Sequence, residues 1–300
     1  MLAQQIVNGL SLGAIYALIA LGYTLVYGIL AMINFAHSEV LMMGSFAALG
    51  AAALAPSMFG TGVLALAGLF AASMLAAGAL NATIERLAYR PLRRHSRLTP
   101  LISAIGVSII LQNAVFLWVS DQSLAFPQPL SGDAFTLPGG AQISALQALT
   151  LAAALALMVL LHLFVEKTRM GRAMRACADD LEAAGLMGVD ADVVIAVTFF
   201  VGGALGGAAG VLYSMSYGST KYNLGFLPGA KAFTAAVLGG IGNVRGAVLG
   251  GFLLGFLEVL SAGYIPNGAQ WRDVIAFSVL ILVLLARPSG LLGERVAEKV

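Results

Sequence analysis

The sequence predicts an all-α membrane protein, a polytopic transmembrane helical bundle with about eight to nine membrane segments. Hydrophobic residues make up 60% of the 300-residue chain, charged residues make up 10%, and the mean hydropathy is +0.93. A single water-soluble core cannot hide that much apolar surface. Apolar runs of about 20 residues, enough to cross ~30 Å of hydrocarbon, recur along the chain. Helices satisfy the backbone hydrogen bonds of such runs in lipid.

The amino end and the cysteine content exclude several features. Residues 1–5 lack a basic n-region, so we expect no cleaved signal peptide. Cys177 is the single cysteine, which excludes an intrachain disulfide and, without a second ligand at metal-site spacing, argues against a metal site. We expect no cofactor. The net charge of +2 comes from clusters that follow the membrane crossings, so no nucleic-acid partner is predicted.

Two basic clusters define the cytoplasmic side, because short loops rich in Lys and Arg stay in the cytoplasm. They consist of Arg86, Arg90, Arg93, Arg94 and Arg97, and of Lys167, Arg169, Arg172 and Arg175. Between them, apolar runs 101–119 and 143–165 flank residues 120–142, which contain Asp121 and Asp133 but no Lys or Arg. Residues 120–142 are therefore predicted to form an external loop.

The carboxyl-terminal half is predicted to contain a broken segment. Run 193–217 crosses outward, and the tail returns to the cytoplasm after run 274–286. Runs 226–242 and 246–260 are shorter and are interrupted by Pro228 and several glycines. One of these two runs is expected to be a half-helix or a re-entrant segment.

The amino-terminal third leaves two topologies open. Runs 7–30, 40–54 and 63–84 read as three helices, interrupted by AMINFAHSE and APSMFGTG. The amino end lies outside if all three cross the membrane, and inside if the middle one only dips in.

Glycine spacing predicts close helix packing. Glycines recur at every fourth residue, which lets helix backbones approach in lipid. The two series are Gly202, Gly206 and Gly210, and Gly242, Gly246 and Gly250. We interpret them as packing faces, in preference to surfaces on which helices slide.

The two halves of the chain share a weak similarity at their helix breaks. NFAHSEVLMMGSF follows one long helix and NLGFLPGAKAFTAAVLGG follows another. Paired interrupted segments point to a transport site near the bilayer midplane. The candidate translocation residues are Asn34, Phe35, His37, Phe226, Pro228 and Lys231.

Ionisable residues in the apolar runs need partners. Glu258 in GGFLLGFLEVLSAG should face the bundle interior and pair with Lys231 or Arg245, and a structural role is favoured over substrate contact. For His37 and Glu39, which follow Asn34, a turn at the inner edge is favoured over a substrate ligand.

Residues 166–190, EKTRMGRAMRACADDLEAAGLMGVD, form a charged segment between two apolar runs. We call them the coupling segment. Arg172 and Arg175 lie on one side of a predicted helix-turn-helix, with the apolar residues Met174, Leu181, Leu186 and Met187 available to bury. The segment is either a solvated connector or a cytoplasmic coupling helix for a partner, and its excess length favours the second.

Three blocks carry a family resemblance: NGLSLGAIYALIALGYTLVYGILAMINFAHSEVLMMGSF, KTRMGRAMRACADD and KAFTAAVLGGIGNVRGAVLGG. Together they resemble the inner-membrane permeases of branched-chain amino acid ABC transporters, of the leucine-isoleucine-valine H-subunit type. The sequence Glu182-Ala183-Ala184, with Gly188 four residues on, resembles the EAA loop that docks on the ATP-hydrolysing subunit. The resemblance implies ATPase-coupling roles for Arg172, Arg175, Glu182, Ala183, Ala184 and Gly188.

The resemblance also implies the assembly. A second permease chain would form a heterodimer with this one, and two ATP-binding subunits and a periplasmic amino-acid-binding protein would complete it. The chain would be a multi-pass subunit of the bacterial inner membrane and not itself an enzyme. This fits the sequence, which has no GxxxxGK[ST] phosphate loop.

Three alternatives stay open. A urea or short-amide ABC permease resembles the same blocks. An ion-coupled secondary transporter or channel would need buried ionisable groups, which are scarce here. An intramembrane enzyme would need a paired nucleophile and base, and the sequence shows none at readable spacing.

Overall fold

Helices account for nearly all of the fold in the computed structural model, which describes residues 2–55, 62–93, 98–129, 135–136 and 140–293. The predictions made on Arg94, Arg97, Asp133 and most of APSMFGTG lie outside the described residues. The helices and strands in chain order are α1 (Leu2–Leu30), α2 (His37–Leu54), α3 (Val63–Ile84), α4 (Leu98–Trp118), β1 (Leu124–Ala125), β2 (Phe135–Thr136), β3 (Gln142–Ile143), α5 (Ala145–Lys167), α6 (Arg169–Asp179), α7 (Leu181–Leu186), α8 (Ala191–Tyr217), β4 (Ser219–Thr220), α9 (Phe226–Gly239), α10 (Val244–Tyr264) and α11 (Gly268–Ala286). A π-helical turn, Glu85–Tyr89, continues α3.

Eight helices within the described residues are long and apolar enough to cross a membrane, namely α1 to α5, α8, α10 and α11. At 14 residues, α9 spans about 21 Å, which is short of a ~30 Å hydrocarbon core. The predicted all-α bundle with one short segment is confirmed. The prediction that 246–260 is also a short run is wrong, because α10 has 21 residues and its glycines pack against neighbours without breaking the helix.

Helix α1 lies at the centre of the bundle, and 78% of its most apolar stretch is buried. It contacts α5, α8, α9 and α10. Gly9 packs against Phe256 and Gly13 packs against Phe252, so α1 and α10 run antiparallel. Helices α4 and α11 lie at the periphery, with only 11% and 6% of the corresponding stretches buried.

The amino end lies beside the end of residues 120–142, the predicted external loop. Gln4 Nε2 donates a 2.9 Å hydrogen bond to the Gln142 carbonyl, and the Gln142 amide donates back to Gln4 Oε1 at 2.8 Å. Helices α1, α2 and α3 are all long and apolar enough to cross a membrane.

The predicted packing role of the spaced glycines is confirmed for all but one. Gly202 lies on Gly22, and Gly210 lies on the Leu41 backbone. Likewise Gly250 lies on the Ala235 backbone. Gly242 is the exception, since it occupies the turn between α9 and α10 with φ +95° and not a helix face.

Short strands join residues 120–142 to the bundle. β1 pairs antiparallel with β4, with Leu124 opposite Thr220. The Thr220 Oγ1 atom lies 2.7 Å from Ser45 Oγ of α2. Residues 120–142 are thereby anchored to the middle of α2 and to the end of α8.

Candidate functional site

The first helix break, between α1 and α2, is built around Asn34. Helix α1 ends at Leu30, and the next residue, Ala31, adopts the left-handed conformation with φ +50°. Asn34 Oδ1 accepts a 3.1 Å hydrogen bond from the Ala36 amide just before α2 begins. The side chain therefore supplies the acceptor that the interrupted helix lacks.

Asn34 also ties the break to the neighbouring helices. Its Nδ2 donates to Asn81 Oδ1 at 3.0 Å, and its Oδ1 accepts from Tyr89 Oη at 2.9 Å. Asn81 Nδ2 in turn donates to the Phe199 carbonyl at 2.7 Å. This buried polar network connects the break to α3, the π-turn and α8.

Replacing Asn34 with Ala is expected to destabilise the fold. The change leaves the Tyr89 hydroxyl without its acceptor and the Asn81 Oδ1 atom without its donor. Each unsatisfied buried group lowers the free energy of unfolding by about 1–3 kcal/mol. Thermal unfolding of the detergent-purified protein measures the loss. Asn113→Ala is the control, because Asn113 is exposed and makes one local bond to the Ile109 carbonyl. Equal unfolding temperatures for the two variants would contradict the network's role.

The second break lies between α8 and α9. Gly218, with φ +69°, ends α8, and Pro228 occupies the first turn of α9, where its missing amide hydrogen costs no helical hydrogen bond. Gly225 packs on the backbone of Ser38, and Gly229 packs on its side chain. The two breaks that resemble each other in sequence therefore meet in space.

A cavity of about 990 Å³ lies where the breaks meet. Ligand sites typically have volumes of about 300–1,000 Å³. Its walls come from the two breaks and from α1, α4, α8, α9 and α11. The lining residues are Tyr23, Phe35, Ser38, Ile105, Ser108, Ile109, Gln112, Tyr213, Lys221, Tyr222, Asn223, Leu224, Phe226, Leu227, Pro228, Ala230, Phe233, Thr234, Phe277 and Leu280. They are predominantly aliphatic and aromatic, with a few hydroxyl and amide groups and one cationic side chain, Lys221.

The predicted path residues divide into two groups. Phe35, Phe226 and Pro228 line the cavity. Asn34 and His37 are buried behind it. The His37 ring lies edge-on to Tyr23, with centroids 4.7 Å apart, and packs on Gly22 and Gly206.

The sixth predicted path residue, Lys231, belongs to a buried ion cluster. Lys231 Nζ lies 2.7 Å from Glu258 Oε1 and 2.6 Å from Asp273 Oδ1. Arg272 Nε lies 3.4 Å from the same Glu258 oxygen, and Tyr16 Oη donates to Glu258 Oε2 at 2.7 Å. Two cations and two carboxylates balance each other, as intramembrane charges generally must.

The predicted pairing of Glu258 with Lys231 is confirmed, and the alternative partner Arg245 is wrong. Arg245 lies in the first turn of α10, 13 residues from Glu258, or about 20 Å along the helix. The sequence reasoning missed Arg272 and Asp273 because it began the last crossing at residue 274, whereas α11 begins at Gly268.

The coupling segment folds as two capped helices, as predicted. The Thr168 hydroxyl caps α6 by accepting from the Gly171 amide at 3.0 Å. Asp180 caps α7 by accepting from the Glu182 and Ala183 amides at 2.9 and 3.0 Å. The left-handed residue Gly188, with φ +86°, follows α7.

One face of the coupling segment rests on the bundle. Met174, Cys177 and Ala184 are buried in a small apolar cluster with Val194 of α8. Arg175 hydrogen-bonds the Val165 carbonyl at the end of α5.

The other face of the coupling segment is exposed. Leu186 and Met187, two of the apolar residues predicted to be available to bury, are 90% and 85% exposed. Arg172, Glu182 and Ala183 are exposed as well. The tip of α7 is thus an apolar surface with polar neighbours.

A second polar connection, not predicted from the sequence, joins the basic loop to the helix after the coupling segment. Arg90 and Arg93 both pair with the Asp192 carboxylate in the first turn of α8. The loop after α3 is thereby fixed to the helix that leaves the coupling segment.

The comparisons with known proteins agree with this architecture. A family described as "Branched-chain amino acid transport system / permease component" matches residues 5–284. The high-affinity branched-chain amino acid transport system permease protein BraD of Pseudomonas aeruginosa is 50% identical over 301 residues, covering 99% of this chain and 97% of BraD. The corresponding LivH protein of Escherichia coli (strain K12) is 47% identical with the same coverage.

A more distant relative matches only part of the chain. The autoinducer 2 import system permease protein LsrC of Photorhabdus laumondii is 35% identical over 127 residues, or 40% of this chain. With the family match over most of the sequence and two full-length relatives, the multi-pass membrane chain belongs to the family of permease components of branched-chain amino acid transport systems.

Proposed function

We propose that this chain is the permease subunit of an ATP-driven importer that moves branched-chain, hydrophobic amino acids across the bacterial inner membrane by alternating access. A permease component implies further subunits. The proposed ones are a second permease chain, two ATP-binding subunits and a periplasmic amino-acid-binding protein. The observation that carries the proposal is the cavity of about 990 Å³ at the meeting of two helix breaks.

The chemistry of the cavity supports an amino acid with an aliphatic side chain. Phe35, Ile109 and Phe277 offer an apolar wall to such a side chain. The amino-terminal end of α9 carries the partial positive charge of the helix dipole, which suits the carboxylate of a zwitterion. Phe35, Phe226 and Pro228 are the wall residues we place on the path.

The periphery of the bundle supports the second permease chain. Helices α4 and α11 both contribute to the cavity wall, yet they are the least buried helices in the described part of the chain. A cavity enclosed by peripheral helices is completed by a neighbouring subunit. The path then lies between the two permeases.

The exposed tip of α7 supports coupling to an ATP-binding subunit. Leu186 and Met187 form an apolar surface on the cytoplasmic side, flanked by Glu182. Exposed apolar residues rimmed by polar ones mark protein interaction sites. We assign the coupling roles to this tip and to Arg172, Arg175, Ala183, Ala184 and Gly188 of the same segment.

The relatives favour this reading over the alternatives. The two full-length relatives are branched-chain amino acid permeases by name, not urea or short-amide permeases. The ion cluster around Glu258 is charge-balanced within the chain, which suits a structural role better than ion coupling.

Uptake into proteoliposomes tests the substrate. Vesicles contain the complete complex, with ATP inside and the binding protein outside. We expect accumulation of leucine, isoleucine and valine, and no accumulation of urea. Accumulation of urea without the branched-chain amino acids would overturn the proposal.

A further inference from the structure

Glu39 is a buried carboxylate that has no role in the transport function proposed above. It is the third residue of α2 and is fully buried. Helix α2 begins deep in the bundle, because His37 packs on Gly22 and Gly206 in the interiors of α1 and α8. Burying a carboxylate at that depth costs free energy, and intramembrane ionisable residues generally have a function.

The Glu39 carboxylate is incompletely paired. Its Oε1 atom accepts from Gln112 Nε2 at 2.8 Å, from Ser38 Oγ at 3.3 Å and from Ser108 Oγ at 3.4 Å. Its Oε2 atom is buried without a hydrogen-bond partner among the described residues. In that same part of the chain no Lys, Arg or His nitrogen lies within 4 Å of the carboxylate.

Glu258 shows what a structurally satisfied carboxylate looks like in this bundle. Both of its oxygens are bonded, and two cations lie beside it. Glu39 therefore differs from Glu258 in two ways, because it has an open acceptor and, among the described residues, no cation beside it.

The side chains that donate hydrogen bonds to Glu39 place its carboxylate next to the cavity. Ser38, Ser108 and Gln112 all line the 990 Å³ cavity, so the carboxylate lies directly behind its wall. None of the lining residues in the described part of the chain is acidic. Glu39 therefore offers a carboxylate to a molecule in this cavity through a layer of neutral polar side chains.

Two of these donors lie on a weakly packed helix. Ser108 and Gln112 belong to α4. Only 11% of the most apolar stretch of this helix is buried. A shift of α4 withdraws Gln112 and Ser108 and opens the carboxylate to the cavity. A cation with an apolar body fits both the charge and the surrounding wall.

We propose that Glu39 recognises the α-ammonium group of the amino acid in the cavity, with Gln112 and Ser108 as the side chains that the ammonium replaces. This inference rests on the proposed function and specifies it further. It predicts that a ligand must carry an ammonium group, whereas a carboxylate alone does not suffice. Ammonium binding would neutralise Glu39 and fill its open acceptor.

Protection of a cysteine in the cavity wall tests the inference. Ala230→Cys places a thiol on the lining of α9. The native Cys177 is buried, and burial raises the pKa of its thiol, so the chain without Ala230→Cys gives a low background. The complete complex in detergent is labelled with N-ethylmaleimide in the presence of L-leucine, L-leucinamide or 4-methylpentanoate.

The expected pattern depends on the ammonium group. Leucine and leucinamide should slow labelling, and 4-methylpentanoate, which lacks the ammonium, should not. Glu39→Gln keeps an acceptor for Gln112 but removes the charge. It should raise the leucine concentration for half-protection by about tenfold or more, since hydrogen bonds to charged groups are strong. Glu39→Asp, which restores the charge, should restore protection.

Three results would overturn the inference. They are unchanged leucine protection in Glu39→Gln, equal protection by 4-methylpentanoate, and loss of protection in Glu39→Asp at an unaltered ligand-free labelling rate. Failure of the proposed function looks different, because the unmodified complex would then not import leucine at all. Leucine uptake by the unmodified complex is therefore measured in parallel.

Discussion

Lys231→Met is expected to cause the largest loss of stability of any variant considered. Lys231 and Glu258 have only 3% of their side chains exposed, and Lys231 bridges Glu258 and Asp273. Breaking a buried ion pair by removing one partner costs about 3–5 kcal/mol, because the remaining charge is left uncompensated. We expect a marked drop in the thermal unfolding midpoint of the detergent-purified protein and a lower yield of folded protein.

A double variant separates charge balance from packing. Lys231→Met combined with Glu258→Gln removes one charge of each sign and leaves Arg272 beside Asp273, at 3.8 Å between Nε and Oδ1. The amide can still accept the hydrogen bond from Tyr16. The double variant should be more stable than Lys231→Met alone. If the two were equally unstable, the charge balance would not be what holds α9, α10 and α11 together.

Leu186→Asp together with Met187→Asp is expected to abolish ATP-driven uptake while leaving the fold intact. Both side chains are exposed, so the substitutions cost little stability within this chain. Burial of each side chain in a partner groove is worth about 1.5–3 kcal/mol, and a carboxylate there is costly to desolvate. The association of the permease with the ATP-binding subunit should weaken by more than tenfold.

Co-purification and uptake measure the effect. The ATP-binding subunit should be lost from the tagged double variant, and leucine uptake should fall to background. Leu186→Met and Met187→Leu are the matched controls, since they keep an apolar surface of similar size. Full association of the double Asp variant would show that the α7 tip does not contact the motor.

Some features of the site were predictable because they follow from charge and length alone. The coupling segment was predicted to form a helix-turn-helix because it is polar and long, and the helices α6 and α7 confirm that structure. Its cytoplasmic location and its coupling role stay predictions. Its two helices have caps, Thr168 and Asp180, that can be read from the sequence. The pairing of Glu258 with Lys231 was predictable because a carboxylate in an apolar run needs a cation.

Other features were not predictable because they depend on tertiary packing. Gly246 and Gly250 were predicted to be packing points, but the length of their helix was not predictable, since only the packing shows that α10 continues through them for 21 residues. Whether Asn34 faces a cavity or a network depends on Asn81 and Tyr89, which are 47 and 55 residues away.

The position of Glu39 beside the cavity could not be predicted from the sequence either. Its donor Gln112 lies 73 residues further along the chain, on α4. In sequence, Glu39 follows a helix break and looks like a polar residue at the membrane edge. Only the packing of α2 against α1 and α8 shows that it lies deep in the bundle beside the cavity.

The central claim is that this chain forms a transport path and that an ATP-hydrolysing subunit, a separate polypeptide, drives its conformational change through the coupling segment. The most direct measurement is leucine accumulation in proteoliposomes that contain either the complete complex or this chain alone, each with and without internal ATP. We predict accumulation above the external concentration only for the complete complex with ATP. Accumulation by this chain alone, without nucleotide, would contradict the claim.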